Sequence, residues 1–197
     1  MNGKDPIMEH SAENTIFSKA DFADKGFKKG EYDACTFKDC DLSNADFSES
    51  KFIDCEFDNC NLSMVKLVTT MLQNVKFTGC KMLGLQFDSC KEFGLSFTFE
   101  NCTLDHSTFF KMKIKKTSFR NSHLDGVDFT GCDLTSAIFD NCNLINAKFE
   151  NTILEKADLR TAVNYSIDPE INKIKKAKFS MSGIAGLLDK YDLEIES

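Results

Sequence analysis

A large apolar residue recurs at every fifth position along most of this 197-residue chain. These centres run from Phe17 to Phe97 in one register, as in Tyr32, Phe37, Leu42, Phe47, Phe52 and Phe57. They resume in a second register from Leu104 to Leu159, as in Phe109, Ile114, Phe119, Leu124 and Phe129. Of 29 such slots only Glu92 fails to hold a large apolar residue. Two positions before most centres stands a small residue, among them Ala20, Cys35, Cys40, Ala45, Cys55, Cys60, Cys80, Cys102, Ser107, Cys132 and Ala137. The other three positions are mostly polar. Two residues of five therefore look inward, one large and one small.

Neither the helical period of 3.6 nor the strand period of 2 fits a five-residue repeat with inward positions two apart. A short extended segment followed by a tight bend does fit, because residues i and i+2 of a strand share one face. Bending at each fifth residue winds the chain into stacked coils, each burying its inward residues against its neighbours. Backbone groups then pair between coils at ~4.8 Å.

The units CDLSN (40–44), ADFSE (45–49), CNLSM (60–64), CDLTS (132–136), CNLIN (142–146), ADLRT (157–161) and ADFAD (20–24) closely resemble the motif Ala-(Asp/Asn)-(Leu/Phe)-X-X of the pentapeptide-repeat family. The resemblance covers Thr15 to Thr161. It implies an all-β fold, a right-handed quadrilateral β-helix with four units per coil. About seven coils would make a rod of roughly 34 Å. The organisation expected is an N-terminal polar segment or cap (1–14), the β-helix (15–161), and an irregular last coil with a short C-terminal helix and dimerisation tail (162–197).

The repeat loses phase once. Cys90 and Cys102 both hold the small slot but lie two residues too far apart. Glu92 falls at a central slot, and an unpaired carboxylate in that core would be very costly. The expectation is a local slip that offers Phe93 inward, with 91–101 bulging from one face. Phe93 and Phe99 are out of phase, so one of them is a candidate bulge contact; the alternative is a harmless insertion.

All nine cysteines fall in the small inward slot. Pairs five apart lack the CxxC spacing of zinc sites, so these read as compact buried groups. No metal, cofactor or disulfide framework is expected. His106 and His123 have centres one coil apart but lack an evident nucleophile or further ligands. No GxSxG, HExxH, P-loop or GxGxxG motif occurs. Carboxylate pairs arise automatically from outward repeat positions. A filled solenoid core also leaves no enclosed pocket, so an enzyme is the least favoured class.

The formal charge is −7, which argues against a general nucleic-acid binder. No apolar run approaches the ~18 residues of a membrane helix, and the first fifteen residues lack a signal peptide's apolar stretch. These features suggest a cytoplasmic protein. Charge is uneven, with a net of −7 over 31–60, +5 over 61–120 and −4 over 121–161. Such runs are either solvated faces or docking surfaces. Acids spaced along a slender rod can present negative charge as duplex phosphates do. Asp125, Asp128, Asp133, Asp140, Glu150, Glu155 and Asp158 are the candidate acidic docking surface.

Beyond Pro169, a turn signal, AKFSM (177–181) reads as a further unit. Ser182 suits a helix N-cap. Ile184, Leu187, Leu188 and Tyr191 recur at helical spacing, and 192–196 alternates like a short edge strand. A solenoid end needs a cover. The tail is therefore either a cap or a symmetric dimer contact through Ile184, Leu187, Leu188, Tyr191, Leu193 and Ile195. The tail resembles those of quinolone-resistance (Qnr-type) members, where it closes the rod and joins two rods. That resemblance implies a non-enzymatic homodimer that mimics DNA, binds DNA gyrase or topoisomerase IV and affects quinolone susceptibility. The alternative is a structural scaffold for another protein partner.

Overall fold

The protein is seen in a computed structural model, which describes residues 10–19, 22 and 26–194. Its units are very short strands joined by sharp corners. β1 (Ser11–Glu13), β3 (Glu31–Asp33), β5 (Lys51–Ile53) and β7 (Met71–Gln73) form a four-stranded parallel sheet on one side of the rod. β2 (Ile16–Ser18), β4 (Thr36–Lys38), β6 (Glu56–Asp58), β8 (Val75–Thr78), β9 (Phe97–Glu100), β10 (Ser118–Arg120) and β11 (Ile138–Asp140) form a seven-stranded sheet on the next. Single parallel bridges such as Asn61↔Lys81 and Thr108↔Asp128 hold the other two sides. The result is a right-handed four-sided β-solenoid.

The corners explain the period. The residue two after most centres takes a positive φ, as at Asn59 (53°), Asn101 (54°), Asn121 (47°) and Asn141 (52°). Asn tolerates this left-handed conformation better than most residues. At many corners the next small residue closes the turn, as where Ala45 N–H donates to Leu42 O at 3.0 Å and Cys132 N–H to Phe129 O at 3.0 Å. The motif's Asp or Asn, one before the centre, also has a local task. Its side-chain oxygen accepts the backbone N–H two residues on, as in Ser43 to Asp41 (3.0 Å), Ser48 to Asp46 (3.0 Å) and Thr130 to Asp128 (2.8 Å). This Asx turn fixes the bend after the centre.

Residues 20 apart in sequence stack, so like meets like along the shaft. On the seven-stranded side, Phe17, Phe37, Phe57, Phe77, Phe99, Phe119 and Phe139 form one column with ring centroids 4.7 to 5.3 Å apart. Phe87, Phe109, Phe129 and Phe149 form a second. All nine cysteines are buried and none forms a disulfide. The slot asks for more than small size. Cys60 Sγ lies 3.3 Å from Phe37 O and Cys55 Sγ 3.3 Å from Tyr32 O, each one coil back. Thr70, Ser107 and Thr152 place a hydroxyl in the same slot and donate to Phe47, Met82 and Phe129 carbonyls at 2.8, 2.9 and 2.9 Å. A thiol or hydroxyl there satisfies a buried carbonyl that alanine would leave without that contact.

The register break resolves differently from the expected slip. β8 pairs with β9 as Val75↔Phe97 and Phe77↔Phe99, an offset of 22. Phe99 is therefore the buried centre, and Phe97 fills the small slot above Val75 rather than a central one. Phe93 does not turn inward: it is 84% exposed. Of 91–96 only Leu95 packs partly on the core, while on the next side Phe99 gains stacked partners in Phe77 and Phe119 at 5.3 and 5.2 Å. The two extra residues are shed at Glu92–Gly94, which leaves Glu92 in solvent. The four-stranded sheet ends there, at β7.

The tail's helix takes the form of two 3₁₀ turns, Ile184–Leu187 and Asp189–Tyr191. Ser182 does not cap it; Gly183 N–H donates instead to Ser180 Oγ at 3.1 Å. Gly186 packs so closely on Tyr165 that an added Cβ would lie 2.1 Å from its carbonyl oxygen, and Ile167 N–H donates to Gly186 O at 2.8 Å. Asp192 adopts φ 51°, and no strand forms at 192–194. Ile195 and the rest of the expected edge strand, like Ala20 and residues 1–9, lie outside the described residues.

Candidate protein-interaction surfaces

The seven acids of the candidate docking surface are distributed over all four sides, because successive units turn a corner. Asp133, opposite Lys113 and Ile153, shares the side of the four-stranded sheet with Glu155. Asp140, opposite Arg120, and Asp158, opposite Ile138 and Lys178, lie on the seven-stranded side. Asp125 is on the third side beside Asp105, and Asp128 and Glu150 are on the fourth. The structure does not gather these seven into one face.

Several of them also have local partners. Asp158 pairs with Arg160 at 2.7 Å and Lys178 at 3.5 Å, and the Arg160 hydrogen bond leads in pulling its carboxyl down to about 2. Burial pushes Asp133 upward, but hydrogen bonds from Thr135 and Lys115 outweigh it and hold the carboxyl below its usual range. Asp128, Asp133 and Asp158 each accept the N–H two residues on. Their presence thus follows from the bend as well as from any partner.

The first coils are different. Of the nine acids in 31–60, Asp46, Asp58 and Glu31 form ion pairs, with Lys29, Lys38 and Lys51. Asp33, Asp39, Asp41, Glu49, Asp54 and Glu56 have no ion pair among the described residues. Asp125, Asp128, Asp140, Glu150 and Glu155 likewise have no ion pair among the described residues, so what sets the first coils apart is their higher net charge, −7 over 31–60 against −4 over 121–161. The sequence signal was the run of −7 over 31–60; grouping residues by 20 rather than by segment would have revealed which acids lack a basic neighbour.

At the other end, Leu187 packs partly on the core while Ile184, Tyr191 and Leu193 stay exposed. Lys190 Nζ bridges Asp168 at 2.8 Å and Glu170 at 2.6 Å, and Tyr191 Oη donates to Glu170 at 2.8 Å. These contacts latch the tail to the last coil. His106 and His123 lie on one side in neighbouring coils, with His123 opposite Thr103 and His106 beneath Gly126. Among the described residues no group of three or more His, Cys, Asp or Glu could hold a metal ion. No described helix is long and apolar enough to cross a membrane.

The fold has known counterparts. A trypsin-treated variant of QnrB1, described as a plasmid-mediated fluoroquinolone resistance protein, superposes with a TM-score of 0.62 at 16% identity, covering 95% of this chain and 100% of that one. Full-length QnrB1 gives 0.51 at 16% identity, covering 93% and 100%. No curated protein matches the chain in sequence. The family model described as "Pentapeptide repeat region" matches residues 30–98 and 95–163. With the five-residue corners, the four-sided stack and that match over most of its length, the chain belongs to the pentapeptide-repeat family.

Proposed function

We propose that this protein is a non-enzymatic, protein-binding rod of the cytoplasm that engages a type II topoisomerase, DNA gyrase or topoisomerase IV, by presenting a DNA-like surface. The observation that carries the reading is the end formed by the first coils. There six acids without ion partners decorate a stiff, filled shaft, with successive coils spaced ~4.8 Å apart against ~3.4 Å of axial rise per phosphate along one DNA strand. The fold shared with QnrB1, itself a fluoroquinolone resistance protein, supports the same direction. The exposed apolar residues Ile184, Tyr191 and Leu193 support self-association through the tail. A gyrase supercoiling assay with and without ciprofloxacin tests the reading. Inhibition of supercoiling, or rescue from the drug, is expected at micromolar protein; absence of binding, inhibition and rescue would overturn it.

A second reading, a scaffold for a different protein partner, is favoured by one observation. The middle of the rod is basic, from Lys66 to Arg120, which no duplex-like surface would be. A pull-down that recovers a defined partner other than a type II topoisomerase would select it.

A further inference from the structure

The register break leaves a groove along the edge between the four-stranded and seven-stranded sides. It has a volume of about 450 Å³ and is lined at successive coils by Asp54–Glu56, Asn74–Lys76, Leu95–Thr98 and Lys113–Thr117. Its origin lies in the backbone. Lys91 N–H donates to Thr70 O and Ser96 N–H to Leu72 O, both at 2.9 Å, while Glu92–Gly94 swing outward between them. Among the described residues Lys113 bridges only upward, to Asp133. The lysines of that coil therefore border an indentation instead of standing above another complete strand.

The lining is chemically divided. Lys76, Lys113, Lys115 and Lys116 give it four ammonium groups. Lys115 reaches Asp133 at 3.1 Å, whereas Lys76, Lys113 and Lys116 have no ion pair among the described residues. Leu95 is half-buried, and Phe93 on the adjoining bulge is exposed. Four coil levels span roughly 14 Å, the length of about four extended residues. A ligand here should carry several negative charges and an apolar side chain, and should be narrow and extended. Asp54 and Glu56 at one end oppose a continuous polyphosphate, which disfavours a nucleic acid.

We infer that this groove binds a short, extended acidic segment of a partner protein, its carboxylates on Lys113, Lys115 and Lys116 and an apolar side chain against Leu95 and Phe93. The opposite charges would steer the encounter and fix its direction along the rod. The inference stands apart from the topoisomerase reading, since its anchoring charges are the lysines of the basic middle, and Asp54 and Glu56 of the first coils only border the groove.

The test is fluorescence anisotropy of a fluorescein-labelled Asp-Glu-Leu-Glu-Asp peptide titrated with the full chain. Saturable binding that weakens as salt rises is expected. Lys113→Glu with Lys116→Glu should lower affinity about tenfold or more. Phe93→Ala should lower it a few-fold while leaving the unfolding midpoint unchanged. Lys148→Glu, a lysine of another side, should bind as the parent does, which separates a groove from general charge attraction. The inference is overturned if Lys148→Glu weakens the peptide as much as the groove variants do. Tighter binding of a single-stranded oligonucleotide of equal charge would overturn it as well. So would sedimentation showing that the groove lysines serve self-association, which would make the occupant a second copy.

Discussion

Replacing Phe119 by Ala tests the stacked shaft most directly. Phe119 is completely buried. Its ring lies between Phe99 at 5.2 Å and Phe139 at 5.0 Å, both nearly parallel, and meets Phe109 and Phe129 edge-on at 6.0 and 5.8 Å. Truncating a buried Phe costs ~3–5 kcal/mol, counting lost transfer energy and the cavity left behind. Each aromatic pair adds ~0.5–1.5 kcal/mol beyond area, though such terms overlap. The site cannot close easily, because Ser118–Arg120 is laddered to Thr98–Glu100 on one side and Ile138–Asp140 on the other. The loss should therefore reach the upper part of the range, about 4–5 kcal/mol. At ~2–4 °C per kcal/mol for a chain of this size, the midpoint should fall by about 8–20 °C. Thr130→Ala, an outward position eleven residues on, should stay within about 0.5 kcal/mol. Urea and thermal unfolding followed by circular dichroism would measure both, with amide exchange reporting whether the coils around Phe119 open first. Equal, small effects from the two substitutions would refute the assigned orientation and the stacked column with it.

Three further outcomes are expected. Gly126 has φ +61°, and a Cβ there would lie 2.7 Å from His106 Nδ1, so Gly126→Ala should destabilise by about 1–2 kcal/mol; an unchanged urea midpoint would contradict the corner geometry. Burial pushes the thiols of Cys55, Cys90, Cys132 and Cys142 up to about 12 from an unperturbed 9.0. Unfolded thiols release protons first, so stability should be intact below pH 9 and fall steadily as pH rises toward 12; all nine thiols should resist Ellman's reagent until denaturation, and rapid labelling of the native protein would refute this. Lys190→Ala removes both ion pairs to the last coil, so the tail beyond Leu187 should be cut faster in limited proteolysis while the rod stays intact. Parent and variant cleaved at the same rate would show that the latch does not hold the tail.

The shaft was readable because its physics is local and repeated. A Phe or Leu at every fifth position has one consistent place to go, and the Asp or Asn before it serves the same bend each time. The register break was not readable in detail, because Phe93, Phe97 and Phe99 are equally apolar. What separates them is the stack of Phe77 and Phe119 above and below, a contact 20 or 22 residues away in sequence. The same distance hid the charge pattern. Asp158 looks like one more acid in an acidic stretch until Lys178, a coil away, stands beside it. The tail's spacing suited an α-helix, but Gly183 and Gly186 draw close to Tyr165, and the chain tightens into 3₁₀ turns.

Because every column is kept by a count of 20, broken once by 22, residue number acts as an angular coordinate. Excising 122–141 would shorten the rod by one storey and leave every remaining side chain on its original compass bearing. Excising only five residues would instead swing everything beyond the cut through a quarter turn. The azimuth between the acidic first coils and the tail is thus written in chain length alone, and insertions in multiples of one unit could re-aim one end against the other without altering a single residue of either.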